Sequence, residues 1–464
     1  MLDASVSDAN TDPAVGHPRS LSCSRAAPVL YSHAPLRDHP PMPTSDPTSL
    51  RRGDVRTLVL AALGGALEFY DFIIFVFFAA VIAELFFPPD LPEWLRQLQA
   101  FGIFAAGYLA RPLGGIVMAH FGDRSGRKRM FMLSVLLMAV PTLLMGLLPT
   151  YADIGLAAPL LLLLLRVLQG AAVGGEVPGA WVFVAEHVPA SRTGFACGTL
   201  TAGLTLGILL GSLVASGINT TWTKHEVLDW AWRIPFVLGG LSGLLAVWLR
   251  RYLHETPVFE ELRRRRALVV GLPLRRVLAG HAREVGVSML LTWLLTAGIV
   301  VVILMTPTLA QNLFAIPAAD AARANSLATF MLILGCITYG LAADRFGVRP
   351  VLVTGSIGLA MATAVLYIGT RVNVNHFTGL YGIAGFAVGV VGVVPTALVN
   401  AFPPAIRFSG ISFAYNVAYA ISGGLTPLLV TWWLRSEPNA AVYYVAVACA
   451  VGGIAAMGLR RRIE

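Results

Sequence analysis

Charged residues are scarce in this sequence. Asp, Glu, Lys and Arg make up 13% of its 464 residues, about half the share that a soluble domain usually carries. Hydrophobic residues make up 56%, and apolar runs of about 20 residues recur along most of the chain. These runs are far longer than the ~10-residue alternating strands of a membrane barrel. The composition excludes an ordinary soluble protein and predicts a polytopic, all-α membrane protein.

Cysteine and the motifs of soluble enzymes are also scarce. The four cysteines, Cys23, Cys197, Cys336 and Cys449, are far apart and show neither a metal-binding spacing nor a disulfide pattern. The sequence contains no P-loop, no Ser/His/Asp set and no metal motif, so ATP hydrolysis is not expected. We therefore expect neither an enzyme nor a cofactor, and a proton gradient is the expected source of energy.

The apolar runs define twelve candidate spans. The first six cover 57–86, 97–120, 130–149, 156–186, 194–217 and 231–252. The last six cover 284–311, 325–343, 350–370, 377–402, 410–434 and 439–459.

Polar segments divide the chain around these spans. Residues 1–56 are expected to form a disordered cytosolic tail, and Met42 is an alternative start of translation because the membrane pattern begins soon after it. We expect two six-helix bundles, 57–252 and 284–459, joined by a cytosolic linker at 253–283 and followed by a cytosolic C-terminus at 460–464.

The net charge of +9 reflects membrane orientation rather than nucleic-acid binding, because the basic residues lie in short loops between apolar runs. Only a few lie on the side opposite the termini: Arg96, Lys224, Arg323, Arg371 and Arg435. The bias places both termini in the cytosol.

The two halves repeat each other. HFGDRSGRKR (120–129) and AADRFGVRP (342–350) lie at equivalent places and share the pattern D-R-x-G-x-[KR]. PASRTG (189–194) and PAIRFSG (404–410) form a second matching pair. A 6+6 repeat in a membrane protein indicates a transporter whose halves rock about a central site.

Charged residues inside the first six spans are the most informative. Glu68 and Asp71 lie three positions apart on nearly the same face of span 1. Arg111 and Glu176 lie at a similar level, near the midplane, and Arg166 lies about 15 Å closer to the outside. Deep inside spans 7 to 12 the sequence has no Lys, Arg, Asp or Glu.

Each such charge costs roughly 2.5–3.5 kcal/mol at the centre of a membrane helix, so it must be paired, hydrated or neutralised. One interpretation is a static ion-pair network that fixes helix packing. The other is a proton relay with substrate recognition, in which Glu68, Asp71 and Glu176 are the proton carriers. A carboxylate beside an arginine stays ionised until the arginine moves away, which couples rocking to proton uptake.

Further polar residues lie in spans 4 and 11. Gln169 follows Arg166 by three positions in RVLQGAAVGGEVPGA (166–180), whose glycines indicate close helix packing. Tyr415, Asn416 and Tyr419 lie in span 11 and are able to contact a substrate or another helix.

Several stretches together resemble the metabolite:proton symporter family of the major facilitator superfamily, over about residues 55–460. They are GALEFYDF, GYLARPLGGIVMAHFGDRSGRKR, LLRVLQGAAVGGE, WAWRIPF, HETPVFEEL and FPPAIRFSGISFAYNVAYAISGGLTP. That family includes transporters for citrate, α-ketoglutarate, shikimate and proline/betaine.

The resemblance implies roles for two sets of residues. A cytosolic motif that latches the two halves comprises Asp123, Arg124, Gly126, Arg127 and Lys128, with Asp344 and Arg345 as its counterpart in the second half. The second loop is shorter, which weakens the expectation of a latch there.

Arg166 to Gly170 match a motif of the family that is tied to proton transfer. Span 5 lacks the Gly-Pro signature of drug antiporters, because Ile208 follows Gly207. The missing signature favours uptake over efflux.

These observations favour a monomeric secondary transporter of the cytoplasmic membrane. It would import a small polar metabolite together with H⁺, and an organic anion such as a di- or tricarboxylate is the expected substrate. Arg111 and Arg166 would supply positive charge along the path. A drug or metabolite exporter of the same fold and a transporter-like membrane sensor are the alternatives.

Overall fold

The computed structural model describes residues 52–250, 254–265 and 273–459 of the chain. Helices fill most of these ranges, which contain no β-strand. Within them, eleven helices are long and apolar enough to cross a membrane, and the bent pair Lys224–Ala231 and Arg233–Trp248 makes a twelfth span. The expected all-α fold with twelve spans is therefore confirmed.

The membrane helices are labelled α1 to α12 in chain order. The first six are Gly53–Phe77, Glu93–Ser125, Arg127–Leu147, Ala157–His187, Ala190–Thr221 and Arg233–Trp248. The last six are Ala282–Phe314, Ala318–Phe346, Val348–Val372, Val374–Ala401, Pro404–Trp433 and Ala440–Met457.

Several helices extend beyond the apolar windows that predict them. α2 and α8 continue for several residues at both ends, because polar residues can prolong a helix outside the hydrocarbon. The expected single span 57–86 is divided instead. Phe78 leaves helical geometry with φ −105° and ψ 12°, and a separate short helix, Ala79–Phe86, follows it.

The segment between the halves contains two short helices, Pro257–Arg264 and Pro273–Gly280. The first of these lies beside the loop between α2 and α3. Most of the expected tail 1–56, including Met42, and the C-terminus 460–464 lie outside the described residues. We call the end of the bundle that carries the loops after α2, α4, α8 and α10 the basic end.

Glycines in α4 bring this helix unusually close to α2. A Cβ atom at Gly170 would lie 2.0 Å from the carbonyl oxygen of Gly107, and one at Gly174 would lie 2.0 Å from that of Arg111. Side chains larger than hydrogen cannot fit there, as the small-residue spacing predicts. This contact fixes the height of Arg111 on α2 relative to Arg166 on α4.

Candidate functional site

Arg111 lies near the middle of α2, with 1% of its surface exposed. Its guanidinium carbon is 4.4 Å from the ring centroid of Tyr419, 5.4 Å from that of Tyr108 and 5.6 Å from that of Tyr415. Tyr108 belongs to α2 and the other two rings to α11, so this tyrosine cage joins the two halves. The Nε and Nη2 atoms of Arg111 are buried and have no hydrogen-bond partner among the described residues.

The rings of the tyrosine cage pack on one another and on a tryptophan. Tyr108 and Tyr419 stack across the two halves, with centroids 5.9 Å apart and an interplanar angle of 15°. Tyr415 lies 5.3 Å from Tyr419 and meets Trp181 of α4 edge-on at 4.9 Å. Sequence reasoning singled out Tyr415 and Tyr419 but missed Tyr108 and Trp181. The spacing of Tyr108 one turn before Arg111 is the signal that would have found it.

Arg166 is enclosed entirely within the first half. Its guanidinium donates to the carbonyl oxygen of Phe72 at 3.2 Å and to the side-chain oxygen of Gln169. The rings of Phe72, Phe75 and Phe104 surround it at 4.2–4.8 Å. Gln169 in turn donates to the carbonyl oxygen of Asp71 at 3.2 Å. Arg166 and Gln169 therefore tie α4 to the backbone of α1.

The side chain of Asp71 points away from both arginines. A Cβ atom built on Gly239 would lie 2.3 Å from its Oδ1 atom, and one on Gly243 would lie 3.0 Å from its Oδ2 atom. Asp71 is 1% exposed, and neither oxygen accepts a hydrogen bond from a described residue. The carboxyl group therefore lies between α1 and α6. It forms no ion pair with Arg111 or Arg166 in the described part of the chain.

Glu68 and Glu176 are both buried in the first half. Each takes part in an interaction with its surroundings. The structure thus places all three candidate proton carriers inside the protein, and it separates Asp71 from the arginine expected at its level. The sequence predicted a shared site because it gives only the depth of Asp71 and Arg111 along their helices. The rotation of each helix determines which neighbour a side chain faces, and it directs these two side chains apart.

Asn416 joins α11 to α4 beside the tyrosine cage. Its Nδ2 atom donates to the carbonyl oxygen of Gly174 at 2.6 Å, and the hydroxyl of Ser412 donates to the same oxygen at 3.3 Å. Both side chains belong to α11, whereas Gly174 belongs to α4. Of the two roles considered for Asn416, the structure thus shows the helix contact.

The motif after α2 joins the halves at the basic end. Asp123 accepts a hydrogen bond from the backbone N–H of Ser409, at 2.9 Å, in the first turns of α11. Its other oxygen pairs with Arg127 at 2.9 Å. Arg127 also donates to the carbonyl oxygen of Pro404 at 2.7 Å, so two residues of the first half hold the second half directly.

Glu186, at the end of α4, is a central residue of this cluster that sequence reasoning missed. It accepts hydrogen bonds from Arg127 at 3.3 Å, from Arg407 at 3.0 Å and from the hydroxyl of Thr256 at 2.7 Å. Glu255 accepts from the backbone N–H groups of Arg127 and Lys128 at 3.0 and 3.2 Å. The connecting segment therefore caps α3 and completes the cluster.

The second half makes the equivalent contact despite its shorter loop. Asp344 accepts hydrogen bonds from the backbone N–H groups of Gly194 and Phe195, at 2.6 and 2.9 Å, in the first turn of α5. The halves are thus closed against each other at the basic end.

The remaining residues of the latch motif lie around these contacts. Arg124 and Arg345 are exposed, and Arg124 contacts only His120 of its own helix among the hydrogen bonds formed by described residues. Gly126 has a φ of +116°, and a Cβ atom there would lie 2.3 Å from the Glu255 carboxylate.

The family described as "Sugar (and other) transporter" matches residues 57–267 and 274–460. The chain belongs to this family. The transporter is 32% identical to the proline/betaine transporter of Salmonella typhimurium over 449 residues, covering 90% of this chain and 86% of the relative. It is 30% identical over 401 residues to a putative proline/betaine transporter of Staphylococcus aureus, covering 86% of each chain.

Solved structures show the same fold for the transporter. The proton:xylose symporter XylE bound to 6-bromo-6-deoxy-D-glucose has a TM-score of 0.74 at 19% identity, over 87% of this chain and 94% of that one. FucP in the outward conformation has a TM-score of 0.67 at 14% identity, over 88% of this chain and all of that one. The chain therefore has the fold of the major facilitator structures, and it belongs to a family of transporters, which are not enzymes.

Proposed function

We propose that this transporter imports a small zwitterionic metabolite together with protons by alternating access. The expected location is the cytoplasmic membrane, with both termini in the cytosol and a monomer as the working unit. Two separate features of the first half carry the proposal: a central guanidinium, that of Arg111, and a buried carboxyl group without hydrogen bonds, that of Asp71. The first is a site for a substrate carboxylate and the second is a site for a proton.

The substrate class follows from the surroundings of Arg111. A guanidinium with two free donor atoms can bind one carboxylate in a bidentate manner. Arg166, the other arginine deep inside the first six spans, is enclosed by aromatic rings, the Phe72 carbonyl group and Gln169 of the first half. A molecule with several carboxylates would therefore lack a second cation at the tyrosine cage among the described residues. This supports a zwitterion in place of the di- or tricarboxylate first expected, and relatives named as proline/betaine transporters support the same choice.

The proton site follows from the surroundings of Asp71. An ionised carboxylate without hydrogen bonds in an apolar interior would cost several kcal/mol, whereas a protonated one would avoid most of this cost. We assign Asp71 as the proton carrier in this closed state. Glu68 and Glu176 serve as further proton carriers or as charges that change the proton affinity of Asp71.

Alternating access follows from the contacts at the basic end. Asp123 and Asp344 hold the halves together there by hydrogen bonds that rocking would break. Proton binding at Asp71 would change how α1 packs on α6, while Arg166 and Gln169 hold the same stretch of α1 against α4. Movement at the proton site would thus reach the helices that line the tyrosine cage.

Proton flux during uptake tests the proposal. Purified protein in liposomes should alkalinise the external medium when betaine or proline is added, and accumulation should collapse when a protonophore is added. A citrate control should give neither response. Uptake of betaine that is indifferent to the pH gradient and to the protonophore would contradict proton symport.

The same liposomes separate the proposal from its two alternatives. An exporter would release substrate from right-side-out vesicles under an inward proton gradient instead of accumulating it. A sensor would bind its ligand without any flux. Within the described residues, the connecting segment holds only two short helices, which does not favour the sensor.

A further inference from the structure

We infer that the tyrosine cage of Tyr108, Tyr415 and Tyr419 is the binding site for the cationic group of the substrate. This inference rests on the proposed function. In this structure, the guanidinium of Arg111 itself occupies the cage. Substrate binding is then an exchange of cations: the substrate ammonium enters the cage, and the Arg111 guanidinium moves to the substrate carboxylate.

The geometry of the cage suits an ammonium group. All three ring centroids lie within 5.6 Å of the Arg111 guanidinium carbon, inside the ~6 Å range of cation–π contacts. Aromatic cages of this kind recognise quaternary ammonium groups. Because the rings come from α2 and α11, a cation held among them also contacts both halves, as a transported substrate must.

Arg111 is poorly satisfied where it lies. Its Nε and Nη2 atoms are buried without hydrogen-bond partners in the described part of the chain, although a guanidinium has five donors to satisfy. The rings stabilise its charge but leave these two donors unused. A carboxylate would accept from both in a bidentate manner, so the arginine gains partners when a zwitterion arrives.

The exchange predicts which molecules bind. A zwitterion places one cation in the cage and one carboxylate on Arg111, so the net charge of the site does not change. A carboxylate without an ammonium would draw Arg111 away and leave the cage without a cation. An ammonium without a carboxylate would displace Arg111 and leave the guanidinium unpaired in a buried site. Both partial analogues should therefore bind weakly.

Equilibrium binding to the purified full-length protein tests this inference without any gradient. The probes are glycine betaine, its carbon isostere 3,3-dimethylbutyrate, which lacks the cation, and choline, which lacks the carboxylate. Trp181 touches Tyr415, so its fluorescence should report occupancy of the cage, and a Trp181→Phe variant identifies its share of the signal. Betaine should bind at least ~10-fold more tightly than either analogue, given the strength of a desolvated cation–π contact.

Two variants of Tyr419 separate the ring from the hydroxyl. Tyr419→Phe keeps the aromatic face and should retain betaine affinity to within ~3-fold, whereas Tyr419→Leu should lose ~10-fold or more. Arg111→Gln should increase the affinity for choline relative to the parent protein, because no guanidinium then competes for the cage. The same variant should bind 3,3-dimethylbutyrate more weakly. Misfolding would not produce the increase in choline affinity.

The inference is overturned if 3,3-dimethylbutyrate matches betaine, if Tyr419→Leu retains full affinity, or if Arg111→Gln gains no affinity for choline. Absence of any betaine or proline binding also overturns it. Gradient-driven uptake of another solute would in that case leave proton symport standing, so the two failures are distinguishable.

Discussion

Asp123 and Asp344 make the same contact in opposite directions across the two halves. Asp123, near the end of α2, accepts a hydrogen bond from Ser409 in the first turns of α11. Asp344, near the end of α8, accepts hydrogen bonds from Gly194 and Phe195 in the first turn of α5. A carboxylate at a helix N-terminus is stabilised by the unpaired N–H groups and by the helix dipole. Each half therefore holds the amino end of a helix in the other.

The two latches are unequal, which gives a first prediction. Replacing Asp123 with Asn breaks its 2.9 Å ion pair with Arg127 and weakens the contact to α11. Asp344→Asn weakens the capping of α5 and removes a charge attraction to Arg192, but it breaks no ion pair of this kind. Hydrogen bonds to charged groups contribute about 1.5–3 kcal/mol each. We expect Asp123→Asn to shift the equilibrium toward opening at the basic end by about tenfold or more, and Asp344→Asn to shift it less.

Spin labels at the exposed positions Arg124 and Arg345 would measure this shift by pulsed electron spin resonance. They lie on opposite halves, and neither side chain takes part in the contacts between the halves described above. A longer label distance in Asp123→Asn than in Asp344→Asn is the expected order. Equal distances in both variants and the parent would show that the carboxylates do not hold the closed state.

Glu186 gives a second prediction, about stability. Removing it leaves Arg127 and Arg407 buried beside each other without their shared carboxylate, and breaking a buried pair in this way costs about 3–5 kcal/mol. We expect Glu186→Gln to lower the thermal unfolding temperature in detergent clearly.

The matched control for Glu186 is Glu261→Gln in the connecting segment. Glu261 forms an ion pair with Arg265, and the hydrogen bond and positive charge of Arg265 lower the pKa of Glu261. Both side chains of this pair are exposed to solvent. Exposed pairs contribute little to stability, so its unfolding temperature should not change. A Glu186 variant as stable as this control would refute the role of Glu186 in the cluster.

Gly115 gives a third prediction, about the close contact of α2 with Ser412 and Asn416 of α11. A Cβ atom there would lie 2.5 Å from Nδ2 of Asn416 and 2.6 Å from Oγ of Ser412, too close for the closed arrangement. Gly115→Ala should therefore hold the basic end open and abolish accumulation.

Gly102→Ala on the same helix is the control, because a Cβ atom at Gly102 meets nothing within 4 Å. Uptake by this control should match that of the parent protein, and its spin-label distances should not change. If Gly115→Ala accumulated substrate normally, the close approach of α2 to Ser412 and Asn416 would not be needed for closure at the basic end.

The helices and their number follow from the sequence because long apolar runs leave no other stable structure in a membrane. The latch residues Asp123 and Asp344 follow from the repeat, since equivalent loops take equivalent positions. Glu186 could not be predicted in this way. It lies at the end of an apolar run, where charged residues are common, and the sequence does not show that Arg407 lies beside it.

The orientation of buried side chains could not be read from the sequence. Periodicity gives the depth of Asp71 and Arg111 on their helices, and both depths suggested a common site. Which neighbour each side chain meets depends on the rotation of α1 and α2 in the bundle. The structure shows Asp71 against glycines of α6 and Arg111 among tyrosines of α11, so the single charged site expected from depth is instead two separate ones.

Accumulation by an Asp71→Asn variant, compared with its exchange activity, tests the central claim most directly. Asn cannot carry a proton, so the variant should lose gradient-driven accumulation of betaine or proline. It should still exchange labelled for unlabelled substrate across the membrane, since the tyrosine cage is intact. Asp153→Asn, in the exposed one-turn helix Tyr151–Ile154 before α4, should behave as the parent protein. Accumulation by Asp71→Asn at the level of the parent would contradict the assignment of Asp71 as the proton carrier.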